Sequence, residues 1–265
     1  MAPEVVGFIG IGEMGAPMSA NLARVGYRVA AYDVDPARTE HQWLDRRASV
    51  EDACEAATRT VICVVRTLPQ TLEVVAGVRR SGLTLVVMST INPTAMASIA
   101  EDLARRGVDV LDAPVSGGVV GAEAATLSVM AGGRAEVLER VRPLLAAMGR
   151  NVFHVGERPG DGQALKLANQ LMLAVNMHGV FEGLKLASSY GLLPEQVLPA
   201  IGESTGMSWV SENWEAVRGW WEGHPSGGAL DILYKDLHSL LGDAADRRTS
   251  FPVAVLAFQL LREVW

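Results

Sequence analysis

The order of apolar runs constrains this chain most. Through Val155, short β-type runs alternate with helical stretches, and after Gly156 only helical stretches follow. The runs are Val5–Ile9, Arg28–Tyr32, Val61–Val65, Leu83–Met88, Val108–Leu111, Leu127–Ala131 and Asn151–Val155. Most are continuously apolar, the pattern of strands buried on both faces. Amphipathic stretches such as Met14–Val25, Pro93–Arg106 and Ala135–Met148 separate them, and Gly26, Gly107 and Gly149 stand where glycines close helices. Successive right-handed crossovers then build a mostly parallel, doubly wound α/β sheet. Beyond it the expected helices are Asp161–Tyr190, closed by Gly191, then Pro194–Gly202, Ser208–Trp221, Ala229–Asp246 and Pro252–Val264. The Gly156, Pro159 and Gly160 cluster divides an α/β domain over 1–158 from an all-α domain over 159–265.

Between the first strand and first helix lies Gly10-Ile11-Gly12-Glu13-Met14-Gly15. In this context the first glycine permits a tight turn, the second lets backbone approach a pyrophosphate, and the third lets helix and strand pack closely. The phosphate charge would sit at a helix N-terminus. The α/β domain is therefore expected to be a Rossmann-type dinucleotide-binding domain. Asp33, at the end of the second strand, would accept hydrogen bonds from an adenosine ribose and repel a 2′-phosphate, favouring NAD over NADP. Nearby Arg38 softens that discrimination, so NADP stays open. The other reading of Asp33, with Asp35-Pro36, is a helix N-cap.

Asp112-Ala113-Pro114-Val115-Ser116-Gly117-Gly118 follows the fifth expected strand, on the carboxyl edge where such sheets bind ligands. The Ser116 hydroxyl beside Gly117 and Gly118 offers donors to a carboxylate, although a plain tight turn fits the same residues. Thr90 ends the fourth strand and reads either as a hydroxyl near the nicotinamide or as a cap for the helix near Pro93.

The chain has three lysines, Lys166, Lys185 and Lys235, within a Lys+Arg total of 23. Lys166 stands among Ala164, Leu165, Leu167 and Ala168, with Asn169 and Gln170 on the same helix face by spacing. Desolvation, or a positive nicotinamide ring, would lower the pKa of such an ammonium toward the range useful in general acid–base work. Arginine does not serve there, because guanidinium does not usefully deprotonate. The competing reading is a lysine that snorkels to solvent. Lys235-Asp236-Leu237 is either a surface charge pair or a second cation for cofactor or substrate, and Lys185 reads as a surface residue. Trp209, Trp214, Trp220 and Trp221 fit a core or dimer interface better than ligand contact, with Trp209 placed nearest a pocket.

Formal net charge −7 and scattered arginines lack the footprint of a nucleic-acid-binding surface. A membrane span is not expected, since no apolar stretch reaches the required length. Two cysteines and five histidines show no metal-ligand spacing. A cytoplasmic, metal-free protein without a removable leader is the expectation.

Taken together these segments resemble the β-hydroxyacid dehydrogenase family, which includes 3-hydroxyisobutyrate dehydrogenase and tartronate semialdehyde reductase. Residues 7–22 are similar to its opening signature, Asp112–Gly118 and Thr126–Met130 to its substrate-loop region, Lys166–Gln170 to its catalytic segment, and Asp231 with Lys235–Leu237 to its C-terminal motif. The resemblance implies oxidation of a small 3-hydroxy acid, or reduction of the corresponding semialdehyde acid. It implies Lys166 as general acid/base with Asn169 and Gln170 beside it, and Ser116, Gly117 and Gly118 on the substrate carboxylate. Gly10, Ile11, Gly12, Glu13, Met14, Gly15, Asp33, Thr90 and Lys235 would serve the cofactor. A homodimer or homotetramer is expected. The family's aromatic before the position of Asp231 is replaced by Pro225-Ser226-Gly227-Gly228, a change in the substrate pocket. An imine reductase on the same architecture and a non-catalytic NAD-binding module are the alternatives; Lys166 with the carboxylate loop argues against both.

Overall fold

Strand β1 (Val5–Ile9) sends alternate side chains into two separate cores, which explains its unbroken apolar sequence. Val6 and Phe8 pack in one core with Met18, Leu22, Leu138 and Leu145; Ile9 packs in the other with Cys54, Val74, Met96 and Leu103. The computed structural model that displays this describes residues 3–223 and 228–262. Pro225, Ser226 and Gly227, and Val264 at the expected end of the last helix, lie outside the described residues.

Around β1 run β2 (Arg28–Tyr32), β3 (Leu44–Arg46), β4 (Thr60–Cys63), β5 (Thr84–Val87) and β6 (Asp109–Asp112). These six strands are parallel in the order β3-β2-β1-β4-β5-β6, reversing direction of growth at β1. The remainder is mixed. Strands β7 (Val115–Ser116) and β8 (Leu127–Gly132) pair antiparallel, β8 meets β6 antiparallel at Asp112 and Gly132, and β9 (Gly149–Gly156) runs parallel to β8.

Helices α1 (Gly15–Arg24), α2 (Val50–Ala56), α3 (Leu68–Gly77), α4 (Pro93–Arg105), α5 (Gly118–Glu123) and α6 (Ala135–Met148) cover the sheet. Ser49, Thr67 and Asn92 cap α2, α3 and α4 by accepting from the N–H groups of Asp52, Gln70 and Ala95. Gly26 and Gly107 close helices at φ 99° and 70°. Gly149 does not do so: its φ is −144°, extended, because it already belongs to β9.

The chain divides into two compact units, Met1–Lys166 and Leu167–Trp265, and the division falls inside the 29-residue helix α7 (Asp161–Ser189). Beyond it come α8 (Pro194–Gly202), α9 (Trp209–Glu212), α10 (Trp214–Gly223), α11 (Ala229–Asp246) and α12 (Pro252–Arg262). The single helix expected over Ser208–Trp221 is thus two. Ser208 caps α9, and the Asn213 side-chain amide donates to the Trp209 carbonyl where the chain turns. The second unit buries Ala174, Met177, Val210, Val217, Leu233 and Leu237 together. Trp214 and Trp221 pack on Phe181 at 4.9 and 4.3 Å between ring centroids, while Trp209 stays 52% exposed and stacks on Trp220. Among the described residues no helix is long and apolar enough to cross a membrane.

Candidate active site

The glycine turn is shaped by what it leaves out. At Gly10, φ is 97° and a Cβ would strike the Val64 carbonyl. At Gly15 a Cβ would strike the Gly10 carbonyl and come within 3.3 Å of the Phe8 ring, so the start of α1 lies tight against β1. A Cβ on Gly12, by contrast, would stand 3.6 Å from the Arg38 guanidinium, an ordinary van der Waals contact with the far end of a flexible side chain. Helix α1 has no side-chain cap and no acidic residue in its first turn, so its N-terminal N–H groups and dipole suit an anion. These features fit a dinucleotide pyrophosphate.

Asp33 is buried at the end of β2. Its Oδ2 accepts the Ile11 N–H at 2.7 Å and its Oδ1 accepts the Asp35 N–H at 2.9 Å. The helix-cap reading therefore belongs to Asp35, which accepts from the Ala37 N–H at the start of a 3₁₀ turn, Pro36–Thr39. Asp33 instead ties the second strand to the glycine turn, and each of its oxygens keeps a second lone pair. Glu13 is exposed and Met14 half-buried at the mouth of α1.

Two further loops leave the carboxyl edge. Ser89, Thr90 and Ile91 follow β5, and the cap of the next helix is Asn92, so Thr90 is not that cap. The Gln163 side chain spans this loop: its amide nitrogen donates to the Ser89 carbonyl at 3.0 Å, and its oxygen accepts the Ile91 N–H at 3.0 Å. Asp112 ends β6 fully buried. Its Oδ1 accepts the Gly160 N–H at 2.8 Å and its Oδ2 the Gln163 N–H at 2.7 Å, so it caps α7. Burial pushes the Asp112 carboxyl up to about 7 despite these backbone donors, with nearby Asp161 adding to the rise. Ser116 follows in β7, opposite Ser128. Gly117 and Gly118 have φ of 131° and 62°, and among the described residues nothing but the chain neighbours of Gly118 lies within 4 Å of where its Cβ would stand.

Lys166 lies on α7 three residues beyond Gln163 and is only 7% exposed. Asn169 and Gln170 follow on the same face of that helix. In the second unit the Gln170 amide donates to Asp236 at 2.7 Å, Asn169 donates to Gln170 at 3.3 Å, and Lys235 pairs with Asp236 at 2.7 Å. Asp236 is wholly buried, so this carboxylate links two residues singled out from sequence, Gln170 and Lys235. Lys185 is exposed.

Residues 5–156 match the family model of the NAD-binding domain of 6-phosphogluconate dehydrogenase. Residues 160–264 match that described as NAD-binding of NADP-dependent 3-hydroxyisobutyrate dehydrogenase. A 3-hydroxyisobutyrate dehydrogenase of Pseudomonas aeruginosa is 35% identical, the match covering 96% of this chain and 90% of that protein. The chain belongs to the β-hydroxyacid dehydrogenase family. Members of this family are NAD(P)-dependent oxidoreductases acting on hydroxy acids. A 2-(hydroxymethyl)glutarate dehydrogenase of Eubacterium barkeri is 33% identical over 96% of this chain and 87% of its own length. Among solved structures, a Mycobacterium tuberculosis 3-hydroxyisobutyrate dehydrogenase with L-serine superposes with TM-score 0.86 at 28% identity, covering 98% of this chain and 93% of that one. A Myxococcus stipitatus imine reductase with NAD+ shares the fold at TM-score 0.71 and 19% identity, covering 99% and 94% of the two chains.

In this β-hydroxyacid dehydrogenase, Gln163 carries no role legible in the sequence, Asp112 reads there only as the start of a substrate loop, and Asp236 reads as half of a charge pair. A signal existed for Asp112. A carboxylate closing an apolar strand must find donors, and helix-opening N–H groups can supply them, although α5 and α6 both begin before α7 and no local pattern selects among the three.

Proposed function

We propose that this chain is an NAD-preferring dehydrogenase of a small 3-hydroxy acid, running in reverse as a semialdehyde-acid reductase. The observation that carries this reading is a buried Lys166 on the helix whose first turn is fastened to the loops after β5 and β6. Bound NAD supplies the hydride acceptor for the carbinol carbon. Neutral Lys166 takes the hydroxyl proton as the alcohol is oxidised, and its ammonium form returns that proton in reduction. Asn169, with Gln170, one turn along α7, serves as the orienting amide of Lys166. Ser116 and the N–H groups of Gly117 and Gly118 hold the substrate carboxylate. Gly10, Ile11, Gly12, Glu13, Met14 and Gly15 would hold the pyrophosphate, Asp33 would take the ribose, and Thr90 and Lys235 would serve the cofactor.

The division of labour is residues 1–158 for the dinucleotide and 159–265 for substrate and subunit contact. A homodimer or homotetramer accounts for the exposed Leu186, Tyr190, Leu192 and Leu193 at the end of α7 and beyond. The two free cysteines, Cys54 and Cys63, suit a reducing compartment such as the cytoplasm.

The test is NAD(P)H absorbance over 3-hydroxyisobutyrate, glycerate, 4-hydroxybutyrate, threonate and serine. NADH formation with at least one acid is expected. Tight NAD(H) binding without turnover across the panel would instead indicate a non-catalytic module.

A further inference from the structure

We infer that Asp112 and Gln163 are a positioning pair for Lys166, fastening the start of α7 to the loops that carry Thr90 and Ser116. The inference rests on the role of Lys166 given above and adds how its place is set. Four hydrogen bonds converge on the seven residues from Gly160 to Lys166. Asp112 receives the N–H groups of Gly160 and Gln163, and the Gln163 side chain grips both the Ser89 carbonyl and the Ile91 N–H. Gln163 is fully buried, and Lys166 follows it at the spacing that returns to the same helix face.

The pair has no room to slip. A Cβ on Gly132 would come 2.6 Å from Asp112 Oδ1, and one on Gly162 would come 2.8 Å from Oδ2. The glycines at these two positions therefore let β8 and α7 close directly on the carboxylate. A carboxyl whose ionisation is opposed by burial is an expensive way to hold a fold together, and a neutral cap would serve stability better. What two directed oxygens add is a fixed direction for the helix. The proton-transfer residue, the hydroxyl loop and the carboxylate loop thereby share one frame, and displacement of a reacting group by about 1 Å costs roughly 100-fold in rate.

The experiment compares wild type with Asp112→Asn, which offers one acceptor in place of two, and Gln163→Met, which keeps length and removes both side-chain bonds. Leu103→Ala, a fully buried change in α4, supplies matched destabilisation away from the pair. Expected in both test variants are an NADH Kd within about twofold of wild type, a KM for the hydroxy acid within about threefold, and a kcat lowered by about tenfold or more. Faster amide exchange over Gly160–Lys166 should accompany the loss, while Leu103→Ala keeps kcat at a temperature below its melting point. Wild-type kcat in both variants overturns the inference, as does faster exchange with no loss of kcat. A kcat loss in Leu103→Ala that matches its loss of stability also overturns it. If the wild type itself showed no turnover, the dehydrogenase reading would fail as well; wild type and variants turning over equally would defeat the positioning role alone.

Discussion

Gly10–Gly15 and Gly160–Lys166 each open a helix beside the carboxyl edge of the sheet, yet the chain places them by different means. The glycine turn is positioned by omitted side chains, and Asp33, 22 residues from Ile11, ties its side chain to it. The lysine segment is positioned by inserted side chains whose partners lie 48 to 74 residues away. A backbone-built site is written in local spacing. A side-chain-built site is written in pairs that only the fold brings together.

The sharpest way to separate the two regions is Lys166→Ala. Its kcat should fall by about 10²- to 10⁴-fold while NADH affinity stays at the wild-type value, measured by stopped-flow turnover and fluorescence titration. Loss of NADH binding in that variant would erase the distinction.

The next effect concerns pH and the carboxylate of Asp112. Its folded-state pKa of about 7 stands above the ordinary 3.8, so the stability it contributes is fully present below about pH 4 and disappears as pH rises through 7. Asp112→Asn cannot lose a proton there. The unfolding free energy of wild type minus variant should therefore decline from pH 4 to pH 8, by up to about 4 kcal/mol, in urea titrations. Parallel curves for the two proteins would show that the buried group does not titrate as described.

Gly15→Ala addresses the other region. The added methyl meets the Gly10 carbonyl, and a cost of about 1–3 kcal/mol in stability, with weakened NADH binding, is expected from calorimetry. Unchanged melting and binding would mean that the turn is not built by close approach. Smallest is Asp33→Asn, which removes the charge proposed to repel a 2′-phosphate; the proposed NAD-over-NADP preference in kcat/KM should shrink by about tenfold. An unaltered ratio would move cofactor selection away from Asp33, with Arg38 the neighbouring candidate.

The same contrast explains what was legible in the sequence. The parallel strands β1, β2, β4, β5 and β6 are visible as apolar runs because burial on both faces leaves no alternation to misread. The ends of α7, α8 and α11 are visible through Gly191, Pro194 and the spacing of apolar residues. Strand β3 is invisible, since Leu44-Asp45-Arg46 at the sheet edge carries no apolar run. The break at Asn213 is hidden because a side-chain amide makes it, within a sequence that keeps helical periodicity. In the candidate site, Gly10–Gly15, Asp33 and Lys166 are legible by type and spacing. Asp112 to Gln163 and Gln170 to Asp236 are not, because each joins elements whose meeting no local pattern encodes.

The lysines also have a practical consequence. The structure puts Lys166 in a buried setting, Lys235 against Asp236, and Lys185 in solvent. Isotope-labelled lysine would give side-chain amine resonances from just three sites, one in each surrounding. The group proposed to carry the proton can then be watched through a titration in the unmodified protein, with no probe attached.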